Sequence, residues 1–160
     1  MENASSQTIF FKRSHFATHL PADALFSPSH YWLRREPDGA WRVGFSKFAV
    51  RMLGDLVDQA FDVPVGTAVQ PGTIIGWIEG FKAISDIYCI VNGVFGGGNP
   101  SLKGNLDQIN TSPYDAGWLY RAIGEPDQNC MPALDYVNLL NATIDRMLSQ
   151  QKDQGAPLAP

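Results

Sequence analysis

Apolar residues alternate with polar ones in short runs over most of this chain, and helical spacing is sustained beyond a single turn in two places. His30-Tyr31-Trp32-Leu33-Arg34-Arg35 and Ala40-Trp41-Arg42-Val43-Gly44-Phe45 flank Pro37-Asp38-Gly39. Proline presets the first dihedral of such a turn and glycine takes the positive one, so the segment predicts a β-hairpin. Phe45, Phe48, Ala49, Met52 and Leu53 then fall at helical spacing between Ser46, a capping residue, and Gly54, a helix stop.

From Asp55 to Val94 the pattern returns to short strands. Val65-Gly66 and Gln70-Pro71-Gly72 punctuate them. Thr73 to Glu79 and Ile84 to Val91 form two apolar runs joined by Gly80-Phe81-Lys82-Ala83, which predicts a second hairpin with Lys82 near its tip. Asn92-Gly93 and Gly96 to Pro100 read as turn and loop, and Leu102, Leu106 and Ile109 as one small helical turn. Pro113 to Gly117 predicts a turn before a strand at Trp118-Leu119-Tyr120. A helix is expected from about Pro132 to Ser149, with Leu134, Val137, Leu140, Ile144 and Met147 as its apolar stripe. Three segments follow: an N-terminal extension over 1–28 that packs on in part, a domain over 29–149, and a fraying tail over 150–160.

Composition narrows the function. At 160 residues, with 44% hydrophobic and 18% charged residues, the chain has the make-up of a globular protein with one core. A net charge of −4 gives no electrostatic reason to bind nucleic acid or an anionic membrane. No apolar run is long enough for a bilayer span, and Met1 to Phe11 lacks the features of a secretory signal, so the expected location is cytoplasmic. Cys89 and Cys130 fit a reducing compartment and lack metal-pair spacing. His15 and His19, four apart, would meet on a helix face, but no third ligand is evident. No nucleophile–base–orienter set for a hydrolase is in view.

Lys82 is the chemically distinctive position. A lysine on a narrow, rigid protrusion suits covalent attachment, because strands fix the tip while the long side chain projects beyond it. Amide formation would remove its charge, as acetylation does, and free the arm from any strong ion pair.

The run Trp77-Ile78-Glu79-Gly80-Phe81-Lys82-Ala83-Ile84-Ser85-Asp86-Ile87-Tyr88 resembles the lipoylation segment of the glycine cleavage H protein family, usually worded E-S-V-K-A-V-S-D-L-Y. Further matches lie in order: His30-Tyr31-Trp32 for H-E-W, Val43-Gly44, Leu53-Gly54-Asp55, Val65-Gly66-Thr67, Asn92-Gly93, Asn99-Pro100 and Pro113 to Leu119. They cover about Ser29 to Leu148.

The resemblance implies a mainly β fold with flanking helices. It is a flattened sandwich of small antiparallel sheets, the lipoyl-domain or barrel-sandwich hybrid, with lipoic acid amide-linked to Lys82. It implies a carrier and not an enzyme, with Glu79, Asp86 and Gly66 read by the lipoate ligase or lipoyl transferase. Gly80-Phe81, Cys89-Ile90 and the long extension depart from the family's pattern around the arm, which marks Phe81 and Cys89 as expected partner contacts. On that ground the expected setting is the H-like branch of oxidative sulfur metabolism, with heterodisulfide-reductase-like enzymes. The alternative is the glycine cleavage system itself, where the arm carries an aminomethyl group among the glycine cleavage enzymes and dihydrolipoamide dehydrogenase reoxidises it. Two rivals remain: an unmodified interaction module, and a biotin carrier, whose lysine is usually flanked by methionines where Phe81 and Ala83 stand here.

Overall fold

A computed structural model of the chain describes residues 7–154. The first expected hairpin forms between β4 (Tyr31–Arg35) and β5 (Trp41–Phe45), with Tyr31 opposite Phe45 and Arg35 opposite Trp41. Its turn closes through the Gly39 amide onto the Glu36 carbonyl at 2.9 Å, with Gly39 at φ +90°. Helix α1 (Lys47–Leu53) starts at Ser46, whose hydroxyl accepts from the Ala49 amide, and stops at Gly54 with φ +77°. Its buried residues are Phe48, Val50 and Leu53; Met52 faces outward, so the helix turns its core face one position from the expected stripe.

The rest of the sheet structure comes from β6 (Leu56–Phe61), β7 (Ala68–Val69), β8 (Ile74–Gly80), β9 (Ile84–Tyr88), β10 (Val91–Gly98) and β11 (Tyr120–Pro126). A 3-10 turn (Pro100–Leu102) and α2 (Gln108–Thr111) supply the small helical piece expected around Leu102 to Ile109. The segment read as turn and loop at Asn92-Gly93 and Gly96 to Gly98 is instead the strand β10. Its glycines serve close approach. A Cβ on Gly93 would lie 1.8 Å from the Ile123 carbonyl oxygen, and one on Gly98 would lie 2.5 Å from the Phe61 ring.

The described part of the N-terminal extension, from residue 7, is ordered structure. β1 (Thr8–Arg13) and β2 (Phe16–Pro21) form a two-stranded hairpin, and β3 (Leu25–Phe26) pairs with β4. His15 and His19 therefore lie on a turn and a strand, not on a helix face. At the other end β12 (Met131–Pro132) leads into α3 (Ala133–Gln154). The helix runs past Ser149, where fraying was expected; the last six residues of that tail, 155–160, lie outside the described residues, as do 1–6 of the extension. Its buried stripe is Ala133, Tyr136, Leu140 and Ile144, while Leu134 is exposed.

Among the described residues the sheets run β12-β3-β4-β5-β11-β10-β7 and β6-β8-β9, all pairs antiparallel, with β1-β2 apart. Because side chains alternate faces along a strand, β4 serves two cores. Tyr31 and Leu33 join Val43, Ile75, Ile78, Ile87 and Phe95 between the two larger sheets. Trp32 points the other way, into a second core made of Phe11, Phe16, Leu20, Phe26, Phe48, Tyr136, Leu140 and Ile144. The fold is thus a flattened β-sandwich whose larger sheet is backed by α3 and the added hairpin.

Candidate functional site

Lys82 sits in the link between β8 and β9, exposed, at the end of the three-stranded sheet. Three backbone bonds fix that link. Gly80 N–H donates to Ala83 O, Phe81 N–H to Asp55 O, and Lys82 N–H to Leu53 O, each at 2.9 Å. Leu53 closes α1, where carbonyls lack partners within the helix, so the tip satisfies a group the helix leaves open. The Lys82 ammonium donates to Arg51 O at 3.4 Å, which also suits a cation at a helix C-terminus.

Two glycines make this seat. A Cβ on Gly54 would lie 2.9 Å from Lys82 Cγ and 3.2 Å from its amide nitrogen, and one on Gly80 would lie 2.1 Å from Leu53 O. The lysine stem therefore lies across the end of α1, above a hollow of about 390 Å³ lined by Val50, Arg51, Gly54, Asp55, Phe81 and Asn110 as well as Lys82 itself. Phe81 and Ile84 flank it, 81% and 72% exposed, two large apolar side chains left in water beside one amine. Exposure on this scale does nothing for the fold and suits a surface that another molecule covers.

Glu79 and Asp86 share the outer face of the same sheet. Glu79 stands opposite Asp58 on β6 and Ile84 on β9, and Asp86 stands opposite Trp77. Two like charges directly across a strand pair oppose folding, so the Asp58–Glu79 pair has no structural gain to explain it. Gly66 lies elsewhere. It follows β6 beyond Phe61, at the end of the sheet away from the tip, with φ +94° and its amide donating to Phe95 O at 2.9 Å. The structure thus brings Lys82, Phe81, Glu79 and Asp86 together and leaves Gly66 apart.

Cys89, expected to meet a partner, is enclosed. It has no exposed surface, its thiol donates to Val91 O at 3.3 Å, and burial pushes its pKa up. A residue enclosed in the link between β9 and β10 offers a partner nothing to touch, so that expectation fails. Cys130 is half-buried and burial raises its thiol to about 12, which makes it a poor nucleophile. Among the described residues no group of three or more His, Cys, Asp or Glu is placed to hold a metal, and no helix is long and apolar enough to cross a membrane.

Sequence reasoning missed Arg51, Asp55 and Ile84 as neighbours of the lysine and read Gly54 only as a helix stop. Arg51, Leu53 and Asp55 act through their carbonyls, which carry no sequence signal. Ile84 shows its role only once its exposure is known.

A β-sandwich with one lysine held at an exposed hairpin tip defines a carrier domain for a group attached to that lysine. The comparisons with known proteins specify it. The family model described as "Glycine cleavage H-protein" matches residues 24–140. A glycine cleavage system H protein of Enterobacter sp. (strain 638) is 38% identical over 105 residues, 65% of this chain and 80% of that protein. One from Escherichia coli O45:K1 is 34% identical over 119 residues, 74% of this chain and 91% of that protein. A crystal structure of a glycine cleavage system H protein from Mycobacterium marinum overlays with a TM-score of 0.69 at 31% identity, covering 76% of this chain and 99% of that one. The chain belongs to the glycine cleavage H-protein family. It is a lipoyl carrier with no catalysis of its own, and its cofactor is covalently attached lipoic acid.

Proposed function

We propose that the lipoyl group is joined in amide linkage to Lys82 Nζ, and that the carrier serves the glycine cleavage system. The observation that carries the attachment site is the seat of Lys82: a backbone pinned to Leu53 and Asp55, and an exposed side chain that only glycine at position 54 lets lie there. The residues present fit the group. An acylating enzyme finds the amine at the rim of a shallow hollow, and the Arg51 carbonyl that accepts from the ammonium also accepts from an amide N–H. When bound, a lipoyl group would supply a disulfide that opens as one sulfur accepts the transferred group and that, once both sulfurs are free thiols, is closed again by thiol–disulfide exchange. The chain's own part is to hold the stem still at its root and leave the rest to swing. Glu79 and Asp86, on the face beside the tip, are the carboxylates proposed for recognition by the attaching enzyme.

The curated relatives are named for the glycine cleavage system, and the chain covers most of their length; this supports glycine cleavage enzymes as the partners over the sulfur-oxidation setting. The assay mixes the lipoylated protein with glycine decarboxylase and labelled bicarbonate and follows label into glycine. Exchange at the rate of an authentic H protein supports the reading. No exchange, with Lys82 shown by mass to be lipoylated, transfers the carrier to other enzymes. One observation favours that second outcome: the Phe81 ring, 81% exposed next to the lysine, where aromatic anchors commonly set partner choice. A heterodisulfide-reductase-like complex is then the partner to test.

A further inference from the structure

The added hairpin β1-β2 precedes the part of the chain that matches the family, which begins at residue 24. Its turn is also anchored beside the lysine. Arg51 Nη2 donates to His15 O at 3.4 Å, its guanidinium lies 6.0 Å from the Phe16 ring centroid, and Phe16 meets Phe48 of α1 edge-on at 5.6 Å. The carbonyl of the same Arg51 accepts from Lys82 Nζ at 3.4 Å. One arginine therefore separates the hairpin turn from the amine, and two hydrogen bonds plus an extended arginine span roughly 15 Å at most. A protein partner of ordinary size covers about 800 Å² on each side, a disc of roughly 16 Å radius. A footprint of that size centred on Nζ reaches the hairpin turn.

The charges around the amine are segregated. Residues 8–21 contain Lys12, Arg13, His15 and His19 and no Asp or Glu. Arg13 is engaged by Asp145 and Asn141 of α3 and His19 packs on the Phe10 ring, which leaves Lys12 near the end of β1 and His15 in the turn as the exposed basic side chains there. The three-stranded sheet and the residue before it carry Asp55, Asp58, Glu79 and Asp86. A partner that seats on both flanks must itself be polarised, acidic toward the hairpin and basic toward the three-stranded sheet.

We infer that the hairpin is a docking element for the enzyme that attaches the lipoyl group, and that this enzyme presents an acidic surface to Lys12 and His15. The inference rests on Lys82 as the attachment site. Docking of that enzyme is obligatory, since it must bring an activated acyl group into contact with Nζ.

The test is steady-state lipoylation of the full chain by the lipoate-attaching enzyme of the source organism, read by intact mass and peptide mapping. The variant Lys12→Glu/His15→Glu changes two exposed residues, and its melting temperature serves as the folding control. The expected result is a rise in KM for the carrier of about tenfold with kcat held, because rim charges act on encounter more than on chemistry. Lys12→Arg should leave KM unchanged. Raising the salt should erase the difference between wild type and the double variant as the charges are screened. Equal KM values for wild type and the double variant at low salt overturn the docking role while leaving Lys82 as the site. A wild-type protein that gains the lipoyl mass at another lysine overturns the attachment reading, and this inference with it.

Discussion

The amide of Lys82 donates to the carbonyl of Leu53 at 2.9 Å, which ties the β8–β9 link to the last residue of α1. Gly54 is what permits this closeness. Its φ of +77° and the 2.9 Å gap from a built Cβ to Lys82 Cγ leave no room for a side chain. Gly54→Ala should lower stability by about 1–2 kcal/mol from the positive φ alone. It should also slow lipoylation well below the unfolding temperature, because the stem must leave its seat. Thermal melts and an initial-rate lipoylation assay at 25 °C check the two effects separately. Normal lipoylation kinetics would show that the seat is irrelevant to the attaching enzyme.

Lys82→Arg should abolish the mass gain on lipoylation and leave the melting temperature almost unchanged. Both side chains carry a cation to the same helix end, and exposed substitutions generally stay within about 0.5 kcal/mol. Lipoyl mass recovered on Lys12, Lys47, Lys103 or Lys152 would move the site.

Glu79→Gln should raise the KM of the attaching enzyme without a cost in stability. The Asp58–Glu79 pair places like charges directly across two strands, so neutralising one is neutral or slightly stabilising, on the order of 0.5 kcal/mol. A clear drop in melting temperature with unchanged lipoylation would make Glu79 a structural residue.

Acid should loosen the second core through His30. Its Nδ1 lies 2.7 Å from the Tyr136 hydroxyl, which is 2.8 Å from Ser46 Oγ, and burial lowers the imidazole from 6.5 to about 4. Between those values the unfolded chain binds a proton that the folded chain refuses, so stability rises with pH across the interval. The contribution is complete above about pH 6.5 and is lost as pH falls toward 4. His30→Asn, tolerated at φ +74°, should flatten the fall in melting temperature over this range. An unaltered slope would assign the acid sensitivity to carboxylates.

The hairpins at Pro37-Asp38-Gly39 and at Lys82, the cap at Ser46 and the stop at Gly54 were legible because turn and cap chemistry is local. β10 was not. Its glycines look like loop residues, and only Ile123 and Phe61, distant in sequence, reveal that they clear space for a neighbouring strand and ring. Tyr136 was passed over as a core residue for a related reason: its hydroxyl reads as polar until Ser46 and His30 are seen to satisfy it. In the candidate site, Lys82, Glu79 and Asp86 are named from one contiguous motif, and the structure sets them on one sheet and its end link. The seat beneath the lysine was not, because backbone carbonyls of α1 build it. Closeness to Lys82 in sequence does not put Cys89 on the surface, because the link from β9 to β10 at Cys89-Ile90 is buried throughout.

Arg13 and Asp145 join the hairpin to α3 across 132 positions of chain. Contacts this far apart close a long loop, and the entropy of closing it favours making them once the intervening chain is in place. The belt formed by the two ends of the chain should therefore be the last unit to assemble and the first to open. Hydrogen exchange should show β1, β2 and the last turns of α3 exchanging as one group, ahead of β8 and β9. The strands that bear the lysine would then keep their protection after the belt has let go, which predicts a state in which the hairpin beside the tip is dissolved and the tip itself still stands.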